Sequence, residues 1–261
     1  QLDRAMGRTA LAGQGVVATG LDALDAVLGG GFPRGELSDI HGPRSSGRTS
    51  LLVAALGAVT ARGEMAALVD AADMLDPESA ATAGIQFDRL LWIRGDALSR
   101  HAPAPAASRH LVAGRRFPSA GRASAADPWV RLLDRAVKAV NLVLQAGSFD
   151  LVVLDLAEVP QDAVRSLPMT TWFRLQRVIE GGRTACLVVA SAPVGRSAGG
   201  VRVELRRVDG EEPRAGLVAG SRWSGAPGQL RRFLGLDLEA RVVRARDAGE
   251  SACRFRCRAG L

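Results

Sequence analysis

The sequence predicts an α/β fold: a central, mostly parallel sheet flanked by helices, with antiparallel strands at its C-terminal edge. Three observations carry that expectation. Between residues 36 and 93, apolar strand-like runs alternate with helical stretches, the order of a parallel sheet with crossover helices. A glycine-rich stretch, Gly42-Pro43-Arg44-Ser45-Ser46-Gly47-Arg48-Thr49-Ser50, falls between the first strand and the first long helix. After residue 200, arginine alternates with aliphatic residues, the two-residue period of strands with one buried face.

Residues 1–18 are small and polar and read as a flexible N-terminal segment. The first residue is Gln rather than Met, so the chain is expected to be part of a longer protein. The remainder, 19–261, reads as one domain, because 47% hydrophobic residues in 261 supply one sizeable core. Leu21, Leu24, Val27 and Leu28 mark a short amphipathic helix stopped by Gly29-Gly30-Gly31, before a strand at 36–41. An apolar helix follows from 50 to about 62, then a strand at 64–70, a helix at 77–83 and a strand at 87–93. From 95 to 128 the chain is Ala, Pro, Ser, Arg and Gly, with too few large apolar side chains to offset ordering entropy, and it is expected to be a disordered insertion. His101 and His110 lie there without carboxylate or cysteine partners, so no metal site is read from them.

Helical periodicity returns at 129–145, where Val130, Leu133, Val137, Val140 and Leu144 form one stripe. A buried strand at 149–155 ends in Asp155, a helix runs over 169–179, and 184–190 is a further buried strand. The alternation at 200–207 suits a half-exposed antiparallel edge. Residues 208–230, around Trp223, read as a loop, and 238–246 with 252–258 read as a closing hairpin.

Composition narrows the function. No apolar run is long enough to span a bilayer and no basic-then-apolar leader is visible, so a cytoplasmic protein without membrane partners is expected. Cys186, Cys253 and Cys257 lack the paired spacing of a zinc site and read as reduced thiols. The net charge of +7 comes almost wholly from arginine, Lys138 being the only lysine, and it permits contact with DNA or an acidic protein surface.

The glycine-rich stretch has the form G-x-x-x-x-G-K-[ST], with Arg48 where the lysine belongs. Gly42, Ser45, Ser46, Gly47, Arg48, Thr49 and Ser50 would cradle phosphate oxygens with backbone N–H groups at a helix N-terminus. A guanidinium is wider and longer than an ammonium and is a poor substitute at a site closed around phosphate. Asp155, an acid at a strand end, would hold Mg²⁺ together with the Thr49 hydroxyl if nucleotide binds.

These residues resemble the RecA family. Thr19-Gly20-Leu21-Asp22, the triple glycine, 42–50 and Asp70-Ala71-Ala72-Asp73-Met74-Leu75-Asp76-Pro77 follow the recombinase pattern nearly residue for residue, and the resemblance runs from Thr19 to about Arg258. Within that superfamily the chain is most similar to the ImuA family, RecA-like accessory proteins encoded beside ImuB and an error-prone polymerase in bacterial SOS mutagenesis cassettes. The resemblance implies a RecA-like P-loop core in which Arg48 replaces the Walker lysine while Thr49 and Asp155 keep the magnesium positions. It puts the water-positioning acid at Asp134 and a shortened γ-phosphate sensor at Ser191, both vestigial, and turns two interface lysines into Arg244 and Arg246. Both DNA loops of a recombinase are shortened, to 156–168 and 193–199.

The function implied is a non-catalytic adaptor of SOS mutagenesis and translesion synthesis. It would bind ImuB, a Y-family polymerase homologue, and RecA, reaching the error-prone polymerase through ImuB and requiring no cofactor. Trp223, in a Gly/Ser/Pro-rich loop, is expected to be a partner contact. Phe233, after Arg231-Arg232, fits either a docking strip or a strand start. The competing reading is a DNA-stimulated ATPase or recombinase paralogue using ATP or ADP with Mg²⁺; a third is a DNA-binding module held by phosphate contacts.

Overall fold

The computed structural model describes residues 15–95, 127–194, 199–208, 221–224, 232–244 and 251–258. The expected insertion at 95–128 falls almost wholly outside them, and the expected hairpin connection at 247–250, with Arg246, wholly outside. Six helices are described: α1 (Asp22–Leu28), α2 (Arg48–Ala61), α3 (Pro77–Thr82), α4 (Pro128–Ala146), α5 (Gln161–Arg165) and α6 (Met169–Ile179). The strands are β1 (Val16–Val17), β2 (Phe32–Pro33), β3 (Leu37–His41), β4 (Ala66–Asp70), β5 (Leu90–Arg94), β6 (Leu151–Leu156), β7 (Ala185–Ala190), β8 (Arg202–Arg207), β9 (Ser221–Ser224), β10 (Arg232–Arg244) and β11 (Ser251–Arg258).

The large sheet has the order β11-β10-β8-β3-β7-β6-β4-β5, with β9 also on β10. Strands β3 to β8 run parallel, β10 adds antiparallel to β8, and β11 adds antiparallel to β10. This is the expected fold class, a RecA-like core with antiparallel edge strands. Local chemistry sets the helix ends. Asp76 accepts from Ser79 N at 2.9 Å ahead of Pro77, and Asp127 accepts from Trp129 N at 2.9 Å ahead of Pro128, so each helix opens on an acidic cap and a proline. Gly147, at φ 65°, closes α4 in the left-handed region.

Pleating sorts each strand between two cores. Leu151 and Val153 of β6 join α2 residues such as Leu51, Leu52 and Leu56 on one face. Val152, Leu154 and Leu156 join Leu133, Val140 and Trp172 of α4 and α6 on the other. At the N-terminal rim of the sheet, buried Asp150 binds three strand ends. It accepts from Arg34 Nη1 at 2.9 Å, Arg183 Nη2 at 2.7 Å and Met65 N at 3.3 Å. Burial pushes its carboxyl up, but the bonds from Arg183 and Arg34 outweigh that and hold it below the ordinary aspartate value.

Three expectations change. The segment 200–207 is not an edge: β8 pairs parallel with β3 on one side and antiparallel with β10 on the other. Residues 221–224, read as loop, form β9 and pair with the start of β10. The last long strand starts at Arg232, not 238, so Phe233 is a strand residue paired with Trp223. Among the described residues, no helix is long and apolar enough to cross a membrane.

Candidate functional site: a phosphate loop whose arginine turns to a neighbouring carboxylate

The loop leaves β3 at a close approach of backbones. A Cβ on Gly42 would fall inside contact distance of the Leu205 carbonyl on β8 and of Ser46 Oγ, so only glycine fits there. Behind the loop, Asp39 of β3 lies 3.1 Å from His41 Nδ1 and accepts from Arg202 Nε at 2.8 Å, tying β3 to β8. Ser45 takes φ 59° and Gly47, the N-cap of α2, φ 89°. The peptide path is therefore that of an anion cradle at a helix N-terminus, and buried Ser46 Oγ, beside Gly42, has no hydrogen-bond partner among the described residues.

The cation does not serve that cradle. Arg48, the first residue of α2, is 4% exposed. Its Nη1 donates to the Ala157 carbonyl at 2.9 Å and its Nη2 faces Glu158 Oε1 at 3.5 Å. Glu158 also accepts from Arg44 Nη2 at 2.5 Å, so one carboxylate holds both loop arginines. Burial pulls the Arg48 pKa below the ordinary guanidinium value, against the opposing pull of Glu158 and Asp155.

Asp155 lies on β6 with the parity of Leu151 and Val153, so it faces the α2 side. Burial raises its pKa to about 6, helped by Asp70 and Glu158 and opposed by a bond from Ala157 N at 2.8 Å and by Arg48. Asp70 is its register partner on β4. It accepts from Met74 N at 3.0 Å, Leu75 N at 2.9 Å and Trp92 Nε1 at 3.4 Å, folding the turn after β4. The turn is closed by a bidentate pair of Arg94 with Asp73 at 2.7 and 3.0 Å, and Arg94 also lies 4.8 Å over the Trp92 ring.

A raised folded-state pKa means the folded protein holds its proton more tightly than the unfolded chain between about pH 4 and 6. Ionised Asp155 therefore costs stability, and the cost appears as pH rises through that window. Asp155→Asn is expected to raise stability by about 2 kcal/mol at pH 7.5 and to leave it unchanged at pH 4, a shift of roughly two pKa units at 1.4 kcal/mol each, discounted for partial exposure. Urea unfolding of both proteins at the two pH values measures it; an equal gain at pH 4 would remove burial of the charge as its cause.

The other expected site residues are dispersed. Thr49 and Ser50 face solvent on the first turn of α2. Asp134 is not brought to the loop. It lies on α4, across the sheet from α2, and pairs with Lys138 Nζ at 2.8 Å on an exposed face. Ser191, just past β7, lines a cavity of about 190 Å³ with Gln161, Arg165 and Trp172. Trp223 of β9 and Phe233 of β10 are register partners, as are Arg244 of β10 and Arg202 of β8. Sequence reading missed Glu158 and Asp70, although three residues of spacing from a strand-end acid to a second acid was the available signal for Glu158.

Comparison with known proteins places the first part of the chain. Residues 5–100 match the RecA N-terminal domain. Protein RecA of Synechococcus sp. (strain CC9902) is 45% identical over 80 residues, covering 31% of this chain and 21% of that protein. Protein RecA of Lactococcus lactis subsp. cremoris (strain MG1363) is 45% identical over 82 residues, with the same coverage of 31% and 21%. The chain thus spans about a fifth of the length of the curated relatives it matches, and it is RecA-like by that stretch and by its fold.

Proposed function

We propose, from the premise of a RecA-like chain, that this protein is an adaptor of SOS mutagenesis that works through its protein surfaces and not through nucleotide turnover. Its partners on this reading are an ImuB-type Y-family polymerase homologue and RecA, with an error-prone polymerase recruited through ImuB. The observation that carries the reading is the seat of Arg48. Phosphoryl transfer rests on positive charge aimed at the phosphates, and here that charge is bonded to Ala157 and Glu158. The residues present do not fit a triphosphate as they stand, because Arg48 and Arg44 both turn to the same carboxylate.

The fold also supports a filament partner. β5 is an edge strand among the described residues, and an edge offers backbone N–H and C=O groups for strand addition by another chain. The Trp223–Phe233 pair and Arg244 lie at the opposite margin of the same sheet.

Two assays test the reading. Steady-state phosphate release is expected to be the same for wild type and Asp155→Ala, with or without single-stranded DNA. A pull-down with ImuB and RecA is expected to succeed and to weaken about tenfold in Trp223→Ala or Arg244→Ala. Brisk DNA-stimulated release that vanishes in Asp155→Ala would replace the adaptor with the ATPase reading, and Thr49 and Asp155 would then be its magnesium residues.

A further inference from the structure

Helices α4 and α6 pack side by side on one face of the sheet, α4 over β6 and β4 and α6 against β3, and their outer flanks leave a groove of about 570 Å³. Its lining is apolar at Val137, Leu142, Leu167 and Leu175 and charged at Asp134, Lys138 and Arg174. Leu142 is 66% exposed, a large apolar side chain held in water for no purpose within the described fold. Arg174 has no ion-pair partner among the described residues. Among the described residues Lys138 pairs with Asp134, one turn away, an exposed contact of the kind that contributes little and is readily exchanged.

We infer that this groove docks an acidic amphipathic helix of a partner protein. Charge decides the occupant. Of the charged residues that line the groove, Lys138 and Arg174 stand against Asp134, and α6 adds Arg177 with no acid, so the rim is net basic around apolar side chains. The chain's own nearest undescribed segment, 96–126, holds five arginines against Asp96 and would be repelled. A second copy would present the same positive face. The remaining fit is a helix whose apolar residues at i, i+3 and i+4 enter between α4 and α6 while its carboxylates meet Lys138 and Arg174. From Asp134 to Leu142 the groove follows about two turns, roughly 12 Å at 1.5 Å per residue, enough for two apolar anchors.

This deepens the adaptor reading and rests on it only for the premise that the partners are proteins. The probe is a display library of helical 16-residue peptides selected on the whole chain, with the most enriched peptide synthesised and titrated by fluorescence anisotropy. The selected peptides are expected to be net negative and amphipathic. Their binding is expected to weaken at least tenfold with Leu142→Asp or Arg174→Glu, both at exposed positions that leave the core intact, and to weaken with added salt. No enrichment, enrichment of basic peptides, or equal binding to both variants would overturn the groove. Acidic helices selected here while ImuB and RecA fail to bind would keep the groove and remove those named partners. ImuB and RecA binding, unchanged by either variant and with no peptide selected, would keep the adaptor and remove the groove.

Discussion

Arg48→Ala is expected to lower stability by about 3 kcal/mol at pH 7.5, in the range for breaking a buried charge pair from one side. Three acceptors lose their cation: the Ala157 carbonyl, Glu158 and, through space, Asp155. Glu158 keeps Arg44 and partial solvent, so the heavier loss falls on the carbonyl and on Asp155. Because Asp155 takes up a proton near pH 6, the same substitution is expected to cost less at pH 5, where that carboxyl is largely neutral. Arg48→Lys restores charge without the planar two-pronged donor, and an intermediate loss is expected. Urea unfolding of the three proteins at pH 7.5 and 5 reads all of this. A pH-independent loss would mean that the guanidinium acts by filling space alone.

Gly47→Ala is expected to cost about 3 kcal/mol or more. Two independent penalties meet at this position. A left-handed φ of 89° costs an L-residue roughly 1–2 kcal/mol. An added Cβ would also fall well inside contact distance of Leu238 Cδ1 of β10, a fully buried side chain that must shift to admit it, and overpacking of that kind costs roughly 1–3 kcal/mol. Leu238→Ala in the same chain is expected to remove the second penalty in exchange for its own cavity and to leave the first. Thermal unfolding of the two single variants and the double variant gives the coupling between them. Strict additivity would show that the loop does not rest on β10.

Much of the fold was legible because its signals are local. Helix α6 was legible to both of its ends, and α2, α4 and the buried strands to within a few residues, from apolar period and from Gly and Pro stops. The position of β8 was not legible. Alternation of Val201, Val203 and Leu205 with Arg202 and Glu204 reports two faces of a strand and says nothing about neighbours at its edges. The pairing β1–β2 and the four residues of β9 are too short to carry a period. At the site, Arg48 stood out as a substitution, but its destination did not, because Glu158 lies 110 residues away. The resemblance put the water-positioning acid at Asp134, and the fold puts that helix on the far side of the sheet from α2.

The aspartates at the two ends of β6 respond to acid in opposite senses. Asp150, held low by Arg34 and Arg183, keeps its end fastened while ionised and lets go as pH falls below the ordinary aspartate range. Asp155, held high by burial, burdens its end while ionised and relaxes as pH falls through about 6. Between them the strand has a mildly acidic optimum, where one terminus is already unburdened and the other is still clasped.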